Sequence, residues 1–192
     1  KTGKKIEGAV YTPGSGYVSD PQLSSHNLQV ATEAKGGEFL FNSEITEIRQ
    51  ENGIVLGVTL SSGEQIDSPV VVNVAGPHSF VINRMAGVEE EMNIKTNALR
   101  HEVHHVPSPD GFNFEEKGCH TSDGDNFIYF RPETGNTILI GSEDPKCDPL
   151  EWVADPDDYN NQITESQWKA QVYRCARRIP ELKIPSRTSG VV

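Results

Sequence analysis

The sequence predicts a mixed α/β chain built in two regions. Three observations carry that expectation. Residues 44–67 hold three short runs of alternating polarity, separated by the turn clusters Glu51-Asn52-Gly53 and Ser61-Ser62-Gly63. Val70-Val71-Val72-Asn73-Val74 is almost continuously apolar and β-branched, the pattern of a strand covered on both faces and typical of parallel sheets. Beyond residue 90 the chain returns to paired short runs, then to a helical pattern over Thr164–Ile179 with Trp168, Val172 and Cys175 in register.

Each element follows from local chemistry. Gly8 to Val18 reads as a hairpin around the turn cluster Thr12-Pro13-Gly14-Ser15-Gly16. Asp20 then reads as the N-cap of a helix, with Pro21 at its first position, where a missing N–H costs nothing. Leu23, Leu28, Val30 and Ala31 mark an apolar stripe, and Gly36-Gly37 stops the helix. Glu38 to Phe41 is expected as a short buried strand, followed by the meander of residues 44–67. The covered strand runs into Ala75-Gly76-Pro77-His78-Ser79, and a helix then carries Phe80, Val81, Ile82 and Met85 to Gly87. The acidic stretch Glu89-Glu90-Glu91 marks the expected boundary between regions 1–90 and 91–192. In the second region Ala98 to Val106 is expected as one strand. Phe127–Phe130 and Thr137–Ile140 are expected as a hairpin, and Ser186–Val192 as the start of another strand.

Composition narrows the function classes. The 192 residues carry Asp+Glu 28 against Lys+Arg 17, a formal net charge of -11. A nucleic-acid surface needs a basic face, and so does docking on anionic lipid. No apolar stretch approaches the roughly 20 residues of a membrane span. The cysteines Cys119, Cys147 and Cys175 are odd in number and widely spaced, so neither a disulfide framework nor a CxxC knuckle is expected. A reducing, cytoplasmic setting is the expectation. The chain opens at Lys1 without an initiator Met and closes inside a strand-like run, so it is expected to be a piece of a longer protein.

The strand end at Ala75-Gly76 is the sharpest local feature. In open α/β sheets ligands sit beyond the carboxyl ends of parallel strands, and a glycine there lets backbone approach a ligand closely. His101, His104 and His105 lie on one expected strand, with His101 and His105 on a shared face. No carboxylate or Cys completes a metal site at a convincing spacing, so no metal is expected. Asp123-Gly124-Asp125-Asn126 lacks the further ligands of a calcium loop, and no GxSxG elbow supports a hydrolase.

Gly16-Tyr17-Val18-Ser19-Asp20-Pro21, the helix after it, the meander, and Val72-Asn73-Val74-Ala75-Gly76 together resemble the D-amino-acid oxidase-like family of FAD-dependent oxidoreductases. Tyr129-Phe130-Arg131-Pro132, Gly135 and Ile138-Leu139-Ile140-Gly141 are similar to that family's substrate-domain hairpin, and Ser189-Gly190-Val191-Val192 to its returning strand. The resemblance implies part of an FAD-binding Rossmann-like domain over 1–90 and an antiparallel substrate domain over 91–192. One departure is large: no GxGxxG follows a strand, since Gly14-Ser15-Gly16 lacks the third glycine.

The resemblance also implies roles. Ile45, Ala75, Gly76, His78 and Gly190 fall beside the FAD, and Tyr129 and Arg131 fall on the substrate hairpin. An Arg there forks onto a carboxylate with two parallel hydrogen bonds. His101 borders the same cavity. The activity implied is oxidation of an amino acid or a secondary or tertiary amine by hydride transfer to flavin. Two alternatives stand beside it: a flavoenzyme for a 2-hydroxy acid or glycerol 3-phosphate, and a cofactor-free interaction domain.

Overall fold

The structure, a computed structural model, describes residues 6–192. Helix α1 spans Pro21–Glu33, and the Asp20 carboxylate accepts from the Leu23 N–H at 2.8 Å to cap it. Strands β1 (Ile45–Glu51), β2 (Ile54–Leu60) and β3 (Gln65–Asp67) form the expected antiparallel meander. Asn52 and Gly53 take positive φ of 51° and 77° to close the first hairpin. The β1–β2 register slips between Ile45 and Glu47. That bulge turns both Ile45 and Ile48 toward one small core with Val58 and Leu60, which strict alternation forbids. A 3-10 turn, Gly76–His78, leads into α2 (Ser79–Met85), which packs Ile82 and Met85 on the same core.

The second region is larger. Its elements are β4 (Ala98–Arg100), β5 (Val103–Pro107), α3 (Phe114–Lys117), β6 (Thr121–Asp123), β7 (Ile128–Glu133), β8 (Thr137–Ser142), β9 (Glu151–Val153), α4 (Glu165–Arg178) and β10 (Gly190–Val191). Five strands form an antiparallel sheet in the order β10-β5-β8-β7-β6, and β4 pairs with β9 separately. Val106, Ile128, Phe130, Ile138 and Ile140 line one face of the sheet. Trp168, Val172 and Cys175 of α4 cover them, and all of these side chains are buried. Deep burial pushes the Cys175 thiol up to about 12, so it serves as a small apolar side chain. The Asp123 carboxylate is taken by Arg178, Asn126 and the backbone of its own turn.

Several elements depart from the sequence expectation, each for want of a ladder partner. Gly8–Val18 forms no hairpin; its turn is closed by Ser15 N–H to Thr12 O at 3.1 Å, without flanking strands. Glu38–Phe41 is neither strand nor buried, and the Phe39 and Phe41 rings stack on each other in the open. Val70–Val74 forms no strand. Val71 packs on the meander core, while Val70, Val72 and Val74 are 67%, 73% and 85% exposed. Apolar patterning reports a demand for burial, and among the described residues nothing covers that outward side. The stripe of α1 is uncovered in the same way.

The expected strand over Ala98–Val106 is two strands, broken at His101-Glu102. The break comes from Glu102, whose side chain turns inward. It accepts from Arg100 Nη1 at 2.9 Å, from the Thr164 N–H at 2.9 Å and from Thr164 Oγ1 at 2.8 Å. Thr164 is itself the N-cap of α4. His101 therefore lies outside β5 and does not share a strand face with His105.

His104 is fully buried on the α4 side, with both ring nitrogens unpartnered and Nε2 3.8 Å from Glu102. Burial lowers its pKa from 6.5 to about 4, with Glu102 pulling upward and His105 downward. As pH falls through the ordinary value, the unfolded chain takes a proton at this site that the fold refuses. Stability is expected to drop by about 3 kcal/mol between about pH 6.5 and about pH 4 from this group alone. Urea titrations across that window should show a shallower decline for His104→Leu than for the native protein.

Candidate active site

The face of the five-stranded sheet away from α4 carries the polar chemistry. Tyr129 and Arg131 of β7 alternate with the buried Ile128 and Phe130, so both point outward. Across the ladder Tyr129 faces Gly141, Arg131 faces Leu139, and His105 of β5 shares the Leu139 register. The glycine is required: an added Cβ at Gly141 would stand 2.2 Å from Tyr129 Cζ. The phenol ring thus lies down on bare β8 backbone. Its other edge meets the His120 ring at 6.0 Å. Burial pushes the phenol pKa up, Arg131 opposes that and Asp144 adds to it, so Tyr129 stays a protonated donor.

Arg131 arrives with partners. Its Nη1 pairs with Glu133 Oε2 at 2.9 Å, two residues along the same face, and donates to Pro132 O at 2.9 Å. Its guanidinium carbon stands 4.8 Å from the centroid of the Tyr17 ring, which descends from the loop before α1. That loop and the β6 edge border a cavity of about 910 Å³, with His120 in its wall beside Tyr129.

His101 sits at the break before β5. Its Nε2 lies 3.1 Å from Asp144 Oδ2, just beyond the end of β8. Asp144 holds a positive φ of 47°. The structure thus keeps Tyr129 and Arg131 together on the sheet face away from α4, while His101 and Asp144 line a small pocket with Glu102 and with Gln167 and Gln171 of α4, so His101 is not brought to the other two.

Gly190 lies at the opposite edge of the sheet. A Cβ on it would stand 2.2 Å from Val103 O, so its bareness lets β10 seat on β5. Ile45 heads β1 against the meander core. At the Ala75-Gly76 turn, Asn73 acts as a clamp. Its Nδ2 donates to Ser79 O at 2.9 Å and to Asn83 Oδ1 at 2.8 Å, and its Oδ1 accepts from the Ala75 N–H at 3.2 Å. Gly76 has a φ of 55°, and nothing lies within 4 Å of where its Cβ would be. His78 turns elsewhere, its Nε2 3.1 Å from Asp157 Oδ2.

Sequence reasoning passed over Asp144 and the contact of Tyr17 with Arg131. Asp144 sits in a Ser-Glu-Asp-Pro turn that looks like solvated loop. Tyr17 is more than a hundred positions from Arg131, beyond any spacing argument. The signal for the Tyr129 platform was present, as a glycine closing the apolar run of β8.

Gly141→Ala is expected to expel the Tyr129 ring from its seat and to cost about 1–3 kcal/mol through overpacking. A crystal structure of the variant should show Tyr129 in a different rotamer, and a denaturation curve should give the loss.

Among known proteins, human mitochondrial sarcosine dehydrogenase is 26% identical over 186 residues, covering 93% of this chain and 19% of that protein. Among solved structures, the L-proline dehydrogenase of P. horikoshii superposes with a TM-score of 0.61 at 18% identity, over 89% of this chain and 42% of that one. Glycine oxidase from Bacillus cereus gives 0.52 at 19% identity, over 87% of this chain and 42% of that one. The chain therefore spans less than half the length of each of these relatives. The family described as FAD dependent oxidoreductase matches residues 1–192, which sets aside the reading of a cofactor-free interaction domain. With its fold shared and its whole length matched, the chain belongs to the FAD-dependent oxidoreductase family.

Proposed function

We propose that this chain is the central part of an enzyme that oxidises an amino acid or a secondary or tertiary amine. The single observation that carries the reading is the placing of Tyr129 and Arg131 side by side on the outward face of β7, in a chain similar to sarcosine dehydrogenase. Residues 1–90 would supply part of the cofactor domain and 91–192 the substrate domain. Among the described residues no helix is long and apolar enough to cross a membrane. Cys119, Cys147 and Cys175 are free thiols, which supports a reducing, cytoplasmic setting.

The described residues fit an FAD in part. The Asn73-clamped turn leaves open space over Gly76, and the outward valines at 70, 72 and 74 offer an apolar flank. Ala75, Gly76 and Ile45 would hold the adenine side, with Gly190 toward the flavin end. His78 would contribute only on leaving Asp157. When bound, the flavin supplies a hydride acceptor for the substrate carbon next to nitrogen.

The chain's own residues bind and orient. Arg131 offers its guanidinium to a substrate carboxylate, in competition with Glu133. Tyr129, protonated, donates to the carboxylate or the amine nitrogen. Little acid–base work is needed when the amine arrives neutral, so the site's main contributions are orientation and exclusion of water.

The test is made on the full-length protein. It should purify with a visible flavin spectrum that bleaches anaerobically on adding an amine or amino acid. A protein that stays colourless with added FAD overturns the reading. Arg131→Lys should raise KM about tenfold or more for substrates with a carboxylate and leave simple amines unaffected.

A further inference from the structure

We propose that Tyr17 is a positioning residue of the substrate site, its ring stacked on the Arg131 guanidinium so that the free edge of that fork is held ready for a substrate carboxylate. The inference rests on the amine-oxidation reading and adds to it a residue from the first region of the chain.

The first support is how Arg131 uses its donors. Nη1 donates to Pro132 O at 2.9 Å and stands 2.9 Å from Glu133 Oε2. The other oxygen of Glu133 is held by the Thr134 backbone N–H at 2.9 Å and the Thr134 hydroxyl at 3.3 Å. Glu133 is thereby fixed at one end of the fork. Among the described residues Nε and Nη2 of Arg131 make no hydrogen bond to protein, and both remain open to solvent. The guanidinium is anchored at one nitrogen and keeps unused donors along the edge that a carboxylate would meet.

The second support is the face of the group. The Arg131 guanidinium carbon stands 4.8 Å from the centroid of the Tyr17 ring. All five N–H donors of a guanidinium lie in its plane, so a ring on its face shields it from water without using one of them. The attraction between cation and ring also restricts the side chain before a ligand arrives. The chain sets the ring in place: Tyr17 lies between the turn closed by Ser15 N–H to Thr12 O at 3.1 Å and Asp20, the N-cap of α1. Its hydroxyl makes no hydrogen bond among the described residues, so the ring face is what Tyr17 contributes. The third support is the cavity of about 910 Å³. Tyr17 and His120 both line it, and the His120 ring meets Tyr129. The cavity therefore adjoins both candidate substrate contacts, each through one aromatic neighbour.

Two variants separate the ring face from plain apolar bulk. Tyr17→Phe keeps the face, and Tyr17→Leu keeps bulk without it. Tyr17 is 41% exposed, so both variants should fold. The full-length holoenzyme is titrated with propionate, a carboxylate that carries no amine, and binding is read from the visible flavin spectrum. Tyr17→Leu should weaken propionate about fivefold, and Tyr17→Phe should stay within about twofold of the native protein. In Tyr17→Leu the KM for an amino acid should rise by the same factor, while that for dimethylamine, which lacks a carboxylate, should not move. In an Arg131→Met background Tyr17→Leu should have no further effect on propionate, since the two residues act as one unit. The proposal is overturned if propionate leaves the native spectrum unchanged or binds Tyr17→Leu as it binds the native protein. It is overturned as well if Tyr17→Phe falls as far as Tyr17→Leu, or if dimethylamine suffers as much as the amino acid, the mark of a merely structural role. A native holoenzyme that binds propionate but that no amine reduces would overturn the functional reading instead, and the propionate titrations would still decide the role of Tyr17.

Discussion

The Glu102 carboxylate is the interaction on which the second region depends. It is buried in a chain whose other acids are mostly at the surface, and it is fully matched by Arg100, the Thr164 hydroxyl and the Thr164 backbone N–H. A buried carboxylate stripped of such partners would be severely destabilising, so the contacts form together or fail together. Three features of the fold follow. The strand must break at 101–102 for Glu102 to turn inward. The α4 N-terminus is fixed where its apolar side meets the sheet. Arg100, 1% exposed at its side chain, ties the loop carbonyls of Asn160 and Gln162 to the same point.

From that anchor the sheet divides its labour between its faces. The side under α4 is buried and apolar, apart from His104 at its edge. The opposite side carries Tyr129, Arg131 and His105. Rigid backing is what lets a polar face stay organised, since the strands beneath it cannot shift without opening the core. Gly141 shows the coupling at a single position, buried in the ladder and bare so that an aromatic ring can rest on it.

The meander, the capped helix α1, the β7–β8 hairpin and α4 were all legible in the sequence. Each is governed by local rules, a turn dipeptide, an Asp-Pro cap or a helical stripe, that act within a few residues. The failures share one cause. Gly8–Val18, Glu38–Phe41 and Val70–Val74 have strand-like composition, but a strand exists only when another segment completes its hydrogen-bond ladder. Composition cannot report whether that segment is at hand. The candidate site was legible as a set of residue types on recognisable elements, Tyr129 and Arg131 on a hairpin and Ala75-Gly76 at a strand end.

The sequence by itself determined the mixed α/β class, the acidic surface, the order of the elements and the resemblance to flavin-dependent oxidoreductases, because these depend on local pattern and on residue order. Only the tertiary structure decided that the strand breaks at Glu102, that His104 turns inward while His101 meets Asp144, that Arg131 is shared with Glu133 and Tyr17, and that Tyr129 lies on Gly141. Those outcomes join residues far apart in the chain. They are fixed by the need to satisfy buried charge and fill buried volume, requirements that a one-dimensional pattern does not contain.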